Sequence, residues 1–316
     1  MSKLSPENQF PPTEASIRQI LAQYGLPLTR YKPAKSGIEN LTLIIWSDDH
    51  KYVLRVYRQH KKSDSDIRLE LDFMKALHDE GLPLPVMLPS MVGDPLVIAK
   101  LHGQRWQSVL MNYAAGEHPK SYSPTLAVDM AKIQARMHVV GKGYARRHSL
   151  NSKQRGLKET HFTTALLSDT KTEPSLRPFL KRVQAFNVEL DESLPIGLSH
   201  FDYDADNLFA DNTGHVSAVL DFDDTQCMPL VVCLAYTLWD IVASTQQSDA
   251  LVAQYLQAYQ QIRPLSQSEK NILPAIILFR HYVIKVFNIH FGNFSQTDLD
   301  VALKQGNKIR QLVLRF

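Results

Sequence analysis

The hydrophobic pattern of this chain changes near residue 112, from strand-like runs to the spacing typical of helices. In the first part, apolar runs rich in β-branched residues predict two hairpins, and a further strand is expected near 31–36. The runs are 41–46, 52–57, 96–101 and 106–113. One amphipathic helix within 63–85 separates the hairpins, and a short helix at 13–25 precedes them.

After Gly116 helical spacing dominates, beginning with a helix at 123–141. Further helical patterns follow at 176–190, 230–245, 249–262 and 268–316. A short β-rich island at 198–222 interrupts them. The basic stretch 142–158 has little apolar periodicity and is expected to be a surface loop. Because the two parts of the chain differ in secondary structure, the sequence predicts an α+β fold.

Composition limits the classes of protein to which this chain could belong. The 316 residues are 44% hydrophobic and 21% charged with a formal net charge of +3, as in an ordinary soluble globular protein. That balance gives no basis for expecting a nucleic-acid partner. Cys227 and Cys233 form neither a disulfide framework nor a metal-binding spacing, so a reducing cytoplasm is the expected location. Apolar stretches such as 229–239 are too short to span a bilayer, and no membrane partner is expected.

An acidic run, 199-SHFDYDADNLFADNTG-214, lies in the β-rich island and crowds Asp202, Asp204 and Asp206 at alternate positions. Repulsion between like charges this close must be reduced by solvation, by separation of the side chains or by a bound cation. A solvated acidic loop is one interpretation. A calcium loop is another, but its sixth position is Asn207 instead of glycine and its twelfth is Thr213 instead of glutamate.

A third interpretation pairs the acidic run with the strand that follows it. The turn at 211–214 and the segment 216-VSAVLDFDD-224 predict a hairpin that brings Asn207 and Asp221 close together. Asp202, Asn207 and Asp221 would then surround one hard cation, and the small carboxylate count suits a magnesium–nucleotide site. The order His-x-Asp, Asn five residues later, then Asp-Phe-Asp is a pattern of phosphoryl-transfer enzymes.

The segments 198-LSHFDYDADNLFAD-211 and 219-VLDFDD-224 resemble the catalytic and metal-binding loops of the aminoglycoside phosphotransferase and choline kinase-like family, including its homoserine-kinase-type members. Four other segments are similar to that family's third strand, first-lobe helix, hinge and following helix. They are 51-KYVLRVY-57, 68-RLELDFMKAL-77, 109-VLMNYAAGE-117 and 131-AKIQARMH-138.

The resemblance implies a bilobal protein-kinase-like fold. An N-terminal nucleotide-binding lobe, 1–111, would hold an antiparallel sheet with one main helix. A mostly helical C-terminal lobe, 112–316, would hold the catalytic loop and the acceptor pocket. The implied activity is transfer of the γ-phosphate of ATP or GTP to a hydroxyl of a small molecule, with Mg²⁺.

The same resemblance assigns roles around the acidic run. Asp202 would accept the proton of the substrate hydroxyl or orient that hydroxyl. Asn207 and Asp221 would bind Mg²⁺, and Asp223 is a weaker candidate for a metal ligand. His200 is expected to brace the catalytic loop.

Asp204 is the rim residue most expected to touch a substrate, whereas Asp206 is expected to be a loop or rim residue. The acceptor pocket would draw on the aromatic-rich segments 235–244 and 279–294, which include Asp240. Aromatic and acidic walls would suit a cationic amine, although residues at this spacing also suit a helical core.

Nucleotide binding is implied for the first lobe. Arg55 stands where the family often has lysine and would hold the α- and β-phosphates, with Glu70 as its ion-pair partner. Gly37 lies between strands, where backbone N–H groups would cover the phosphates. Met111 and Tyr113 belong to the hinge, where backbone groups would contact the purine edge.

Two residues depart from the family pattern. Phe201 stands where glycine is common, and Cys233 stands where the family usually has aspartate. Arg55 and Cys233 keep open one alternative, a pseudokinase that binds a nucleotide or protein partner without turnover. A second alternative is a Ser/Thr protein kinase on the same fold, which would need an open cleft for a peptide. The oligomeric state is not defined by the sequence.

Overall fold

The structure is a computed structural model that describes residues 13–34, 40–57, 62–101, 104–152, 156–245 and 248–292, together with 304 and 306. The chain divides into two compact units. Unit 1 comprises 1–115 and 218–220, and unit 2 comprises 116–217 and 221–316. Gly37 and most of 293–316, which fall in predicted functional or helical segments, lie outside the described residues.

Unit 1 is built on an antiparallel sheet, and both predicted hairpins and the early strand are confirmed. Its elements are α1 (Glu14–Ala22), β1 (Arg30–Pro33), β2 (Leu41–Ser47), β3 (His50–Val56), α2 (Asp64–Asp79), β4 (Leu96–Leu101) and β5 (Gln104–Asn112). The five strands run in the order β1-β2-β3-β5-β4. Helix α1 supplies Ile17, Ile20 and Leu21 to the core, where they pack with sheet residues such as Leu54 and Leu110.

Helix α2 forms where local sequence favours it. The Ser63 hydroxyl accepts the Asp66 N–H, and the Asp66 carboxylate accepts the Ser63 N–H, which completes a capping box. Gly81, at φ 72°, lies just beyond the end of the helix in the left-handed conformation that glycine readily adopts. The apolar stripe around Ile67 also carries Glu70 into the core of the unit.

Unit 2 is mostly helical, as predicted. Its elements are α3 (Pro124–Arg147), β6 (Gly156–Lys158), α4 (His161–Ser168), α5 (Arg177–Ala185), β7 (Asn187–Glu189), β8 (Ile196–Ser199), β9 (Leu208–Ala210), β10 (Val216–Val219, whose last two residues belong to unit 1), β11 (Gln226–Pro229), α6 (Leu230–Ser244), α7 (Ser248–Ile262) and α8 (Gln267–His290). Strand β8 pairs with β11, and β9 pairs with β10.

Two expectations for unit 2 were wrong. The stretch 142–158 is not one loop, because α3 continues to Arg147 and Gly156–Lys158 forms β6. The helix continues because Tyr144 and Ala145 are buried on the same side as the preceding turns. The predicted helix at 176–190 ends at Ala185, and the following residues form β7, which pairs with β6.

Helix α3 and strand β8 approach each other closely at two glycines. A Cβ atom on Gly141 would lie 1.9 Å from the Leu198 carbonyl oxygen, and one on Gly197 would lie 2.7 Å from the Lys142 backbone nitrogen. Only glycine permits this backbone-to-backbone contact. Strand β8 is therefore packed directly on α3 at the point where the chain enters the His200 loop.

Helix α8 is the one described helix whose length and apolar composition would suit a membrane span. Half of its most apolar window is buried within the structure. Leu278, Tyr282 and Val286 pack in a core cluster with residues of α4 and α5. The apolar character of α8 is thus accounted for by the core of unit 2.

Candidate active site

The loop after β8 presents Asp202 with its carboxylate partly open to solvent. The Asp202 side chain is 39% exposed. The Asn207 Nδ2 group donates to the Asp202 carboxylate at 2.9 Å and to its backbone carbonyl at 2.8 Å. These two bonds fix the orientation of the carboxylate and leave the carboxamide oxygen of Asn207 as a ligand group for a cation.

Asp204 organises the turn that carries Asn207. Its Oδ1 accepts the backbone N–H groups of Asp206 at 3.0 Å and of Asn207 at 3.2 Å, which caps the 3₁₀ turn Ala205–Asn207. Burial raises the pKa of Asp204 to about 7, with the charges of Asp202 and Asp240 adding to the effect. A nearby cation would therefore stabilise the ionised form of this carboxylate.

His200 is fully buried beneath the loop. Its ring lies 4.5 Å from that of Phe222 and 5.9 Å from that of Tyr203, centre to centre. This packing agrees with a bracing role, which stays a prediction.

A chain of buried polar groups supports the loop from below. The Thr237 hydroxyl donates to the Tyr203 carbonyl oxygen at 2.6 Å and accepts from the Gln134 amide at 2.8 Å. The Tyr255 hydroxyl donates to the Gln134 carboxamide oxygen at 2.9 Å. These neutral groups satisfy one another, which makes a rigid base for the residues around Asp202.

Cys233 belongs to the same support. Its thiol lies 3.4 Å from the Gln134 amide nitrogen and within hydrogen-bonding reach of Ser199 and of the Phe201 backbone N–H. Burial raises the pKa of this thiol, so it stays neutral. A neutral thiol therefore lies beneath the loop at the position where the sequence resemblance leads one to expect an aspartate.

Phe201 has a backbone conformation that favours glycine. Its φ is 69°, a left-handed conformation that costs a non-glycine residue roughly 1–2 kcal/mol. Its ring lies 5.0 Å from the Tyr236 ring, centre to centre. The larger side chain therefore adds an aromatic contact beside the catalytic loop at the expense of backbone strain.

The predicted hairpin after the loop is confirmed. Strands β9 and β10 pair, and Asp211 closes the turn by accepting the N–H groups of Thr213 at 2.8 Å and His215 at 3.1 Å. Asp221 follows in a left-handed conformation, at φ 55°, with an exposed side chain. Asp223 is half-buried in the 3₁₀ turn that Asp221 caps.

The donor chemistry of this region fits a hard divalent cation. Among the residues that the structure describes, no three His, Cys, Asp or Glu side chains gather into a ready-made metal site. Mg²⁺ typically uses one or two protein oxygen ligands together with water and substrate phosphates. The carboxamide of Asn207 and the carboxylate of Asp221 supply oxygen ligands of this kind.

In unit 1, Glu70 is only 1% exposed and collects several partners. It accepts from the Tyr57 hydroxyl at 2.9 Å and from Lys62 Nζ at 2.5 Å. Arg55 Nη1 lies 3.9 Å from the Glu70 carboxylate, at ion-pair distance. Arg55 and Glu70 thus lie together, but the closer cation is Lys62, which sequence reasoning missed.

The predicted hinge residues lie at the end of β5. Met111 is nearly buried in the ladder opposite Val53 and also forms a bridge with Met87. Tyr113 follows the last ladder pair, and its side chain is 37% exposed. Their contact with a purine stays a prediction.

A cation of unit 2 that the sequence did not single out lies beside the catalytic loop. Arg280 Nη2 is 3.6 Å from the Asp202 carboxylate. The Arg280 guanidinium carbon lies 4.3 Å from the ring centre of Tyr236 and 5.7 Å from that of Trp239.

Asp240 is an acidic residue on α6, the helix that also carries Tyr236 and Trp239. Asp240 accepts a hydrogen bond from the Tyr122 hydroxyl, which in turn accepts the Ala205 N–H at 3.2 Å. Burial raises the pKa of Asp240.

Comparison with known proteins shows the family of this chain. The model of the "Phosphotransferase enzyme family" matches residues 30–265. Homoserine kinase of Caulobacter vibrioides is 24% identical over 296 residues, with 90% of this chain and 89% of that protein covered. Homoserine kinase of Polaromonas naphthalenivorans is 26% identical over 278 residues, with 83% of each chain covered.

Solved structures show the same fold. An amicoumacin kinase in complex with AMP-PNP and Ca²⁺ superposes with a TM-score of 0.67 at 15% identity, covering 95% of this chain and 93% of that chain. A microcompartment-associated aminopropanol kinase superposes with a TM-score of 0.65 at 18% identity, covering 95% of this chain and 96% of that one.

The family match, the homoserine kinase relatives and the fold define an α+β, protein-kinase-like enzyme that phosphorylates a small-molecule hydroxyl. Because the family model matches well over half of its length, the chain belongs to the phosphotransferase enzyme family. The comparisons give no support to the protein-kinase or the pseudokinase alternative.

Proposed function

We propose that this chain transfers the γ-phosphate of ATP to the hydroxyl of a small amine-bearing alcohol, with Asp202 acting on that hydroxyl. The observation that carries the proposal is the Asp202 carboxylate, which is fixed by the Asn207 amide yet partly open to solvent. A carboxylate held in this way can orient the acceptor hydroxyl and accept its proton as the oxygen attacks phosphorus.

The metal ligands assigned to this reaction are the carboxamide oxygen of Asn207 and the carboxylate of Asp221, with Asp223 in support. Mg²⁺ bound there would neutralise the negative charge of the nucleotide phosphates. His200 and the polar chain through Thr237 keep the loop in place.

Arg55 is assigned to the nucleotide phosphates, and Glu70 is the buried carboxylate that orients the cations around it. The short bond from Lys62 to Glu70 makes Lys62 a second candidate for phosphate binding. The backbone near Met111 and Tyr113 is assigned to the nucleotide base.

An amine on the acceptor is supported by the carboxylates of Asp204 and Asp240. Burial raises the pKa of each, so an ammonium group beside them would relieve an electrostatic cost. Two of the similar proteins are named for acceptors that carry both an amine and a hydroxyl, homoserine and aminopropanol. Amine-bearing alcohols are therefore the acceptor class to test first.

The test measures ATP consumption by the purified chain with L-homoserine, aminopropanol, an aminoglycoside and a generic protein substrate. Transfer to a small amine-bearing alcohol, lost in Asp202→Ala, is the expected result. Tight binding of MgATP without consumption in the presence of any acceptor would contradict the proposal and favour a pseudokinase. Transfer to the protein substrate alone would favour a protein kinase.

A further inference from the structure

Arg280 brings a positive charge close to two acidic groups of unit 2, Asp202 and Asp240. Its side chain, on α8, is 21% exposed, and the guanidinium lies against the rings of Tyr236 and Trp239. Aromatic faces hold a guanidinium in a fixed plane without using its N–H donors. The aromatic contacts therefore orient Arg280 while its N–H groups stay available for hydrogen bonding.

One edge of the guanidinium is incompletely used. Nη2 lies 3.6 Å from the Asp202 carboxylate, which is longer than a hydrogen bond. Nε, which lies on the same edge, is buried and has no hydrogen-bond partner among the residues that the structure describes. The Nε–Nη2 edge is a two-donor fork that matches the two oxygens of a carboxylate.

Carboxyl groups surround Asp202, the residue that this fork faces. The Asp204 carboxylate caps the 3₁₀ turn that follows Asp202, and the Asp240 carboxylate is held by Tyr122. The charges of Asp202, Asp204 and Asp240 act on one another, and Arg280 acts on Asp240. This part of unit 2 thus holds one cationic fork and three carboxyl groups that interact electrostatically.

We propose that Arg280 determines acceptor specificity by binding a carboxylate of the acceptor, so that the acceptor is a hydroxylated amino acid in its zwitterionic form. The ammonium of that amino acid would face Asp204 and Asp240, and its hydroxyl would face Asp202. This inference rests on the proposed function and narrows its acceptor class, since it sets a hydroxy amino acid apart from an amino alcohol that has no carboxylate.

The experiment uses acceptors that differ by one charged group. L-Homoserine carries both charges, 3-amino-1-propanol is the same molecule without its carboxylate, and 4-hydroxybutanoate lacks only the ammonium. The kcat/KM of each is measured for the wild type, Arg280→Gln and Arg280→Lys. The matched control is Arg146→Gln, which removes an exposed arginine of α3.

We expect the wild type to prefer L-homoserine over 3-amino-1-propanol by roughly 10- to 100-fold in kcat/KM, the range of a charge-assisted bidentate pair. In Arg280→Gln this ratio should fall close to one, mainly because the KM for homoserine rises. Arg280→Lys should retain part of the preference, since it keeps the charge but loses the fork. Arg146→Gln should keep the wild-type ratio.

Three results would overturn the inference. Equal use of both acceptors by the wild type would show that no carboxylate is recognised. An equal fall with all acceptors in Arg280→Gln would show that Arg280 acts on Asp202 or on phosphate instead. If no acceptor is phosphorylated, the proposed function fails, and calorimetric binding then decides the role of Arg280: equal affinity for homoserine and aminopropanol would refute it.

Discussion

Replacing Gly141 by alanine tests whether α3 and β8 are packed backbone to backbone. The added methyl group would lie 1.9 Å from the Leu198 carbonyl oxygen, whereas ordinary contact begins near 3.4 Å, so one element must shift by about 1.5 Å. Overpacking against a backbone costs about 1–3 kcal/mol or more, and the gain in helix propensity offsets about 1 kcal/mol. Because the clash is with a backbone atom, the cost lies at the upper end of this range, and we expect the free energy of unfolding to fall by about 2 kcal/mol net.

Gly143 provides a matched control on the same helix. A methyl group there would lie 3.3 Å from the end of the flexible Arg147 side chain, which can move away. Gly143→Ala should therefore stabilise the chain by about 0.5–1 kcal/mol. Urea unfolding of both variants, followed by circular dichroism, measures the difference. Equal stability of the two variants would refute direct packing of α3 on β8.

Because Leu198 lies two residues before His200, the same substitution should disturb the catalytic loop. We expect Gly141→Ala to lower kcat on the best acceptor, whereas Gly143→Ala should leave kcat near the wild-type value. Turnover is measured at a temperature where both variants are folded. An unchanged kcat in Gly141→Ala would show that the packing of β8 on α3 does not determine the geometry of Asp202.

Three further predictions concern single side chains of unit 2. Asp202→Ala should lower turnover by roughly 10²–10⁴-fold, the scale of general-base loss, while calorimetry shows nearly unchanged ATP affinity; wild-type turnover would exclude the assigned role. Asp221→Asn keeps a residue that tolerates the left-handed backbone but removes the charge, so ATP binding should need more Mg²⁺; an unaltered magnesium dependence would count against a metal ligand. Burial holds the pKa of His138 well below its ordinary value, so the imidazole stays neutral in the folded chain but takes up a proton when unfolded. Lowering the pH from 7 to 5 should therefore destabilise the wild type by about 2 kcal/mol more than His138→Gln, and equal losses in urea unfolding would contradict this.

Much of unit 1 could be predicted because its strands pair locally. The alternation in 41–46 and 52–57 and the short turn between them define β2 and β3, and paired residues lie at most fifteen positions apart along the chain. The hairpin after the catalytic loop was predictable for the same reason, since Asp211 is a turn-forming residue that closes its own loop.

The errors in unit 2 arose where burial or strand pairing leaves no local pattern in the sequence. Gly141 is buried by close approach of backbones, so it adds nothing to an apolar pattern although it continues the buried face of α3. Strands β6 and β7 stabilise each other across about thirty residues of intervening chain, and neither has a strand signal of its own. Because these strands are short and pair non-locally, they show no periodicity from which a strand could be predicted.

The candidate site was only partly predictable. Spacing and turn chemistry indicated Asp202 and Asn207, which do contact each other. Arg280 was missed because it lies in an aromatic helical stretch far from Asp202 along the chain, and no local pattern separates such a residue from the core. Lys62 was missed because it precedes the cap of α2, where a lysine is ordinarily a solvated residue.

The left-handed backbone at Phe201 has a consequence for how this protein can evolve. Replacing Phe201 by glycine would relieve roughly 1 kcal/mol of backbone strain. The same change would remove the ring beside Tyr236, whose aromatic face also holds Arg280. Selection for higher stability would thus favour glycine at position 201, whereas selection for binding of a particular acceptor would favour phenylalanine.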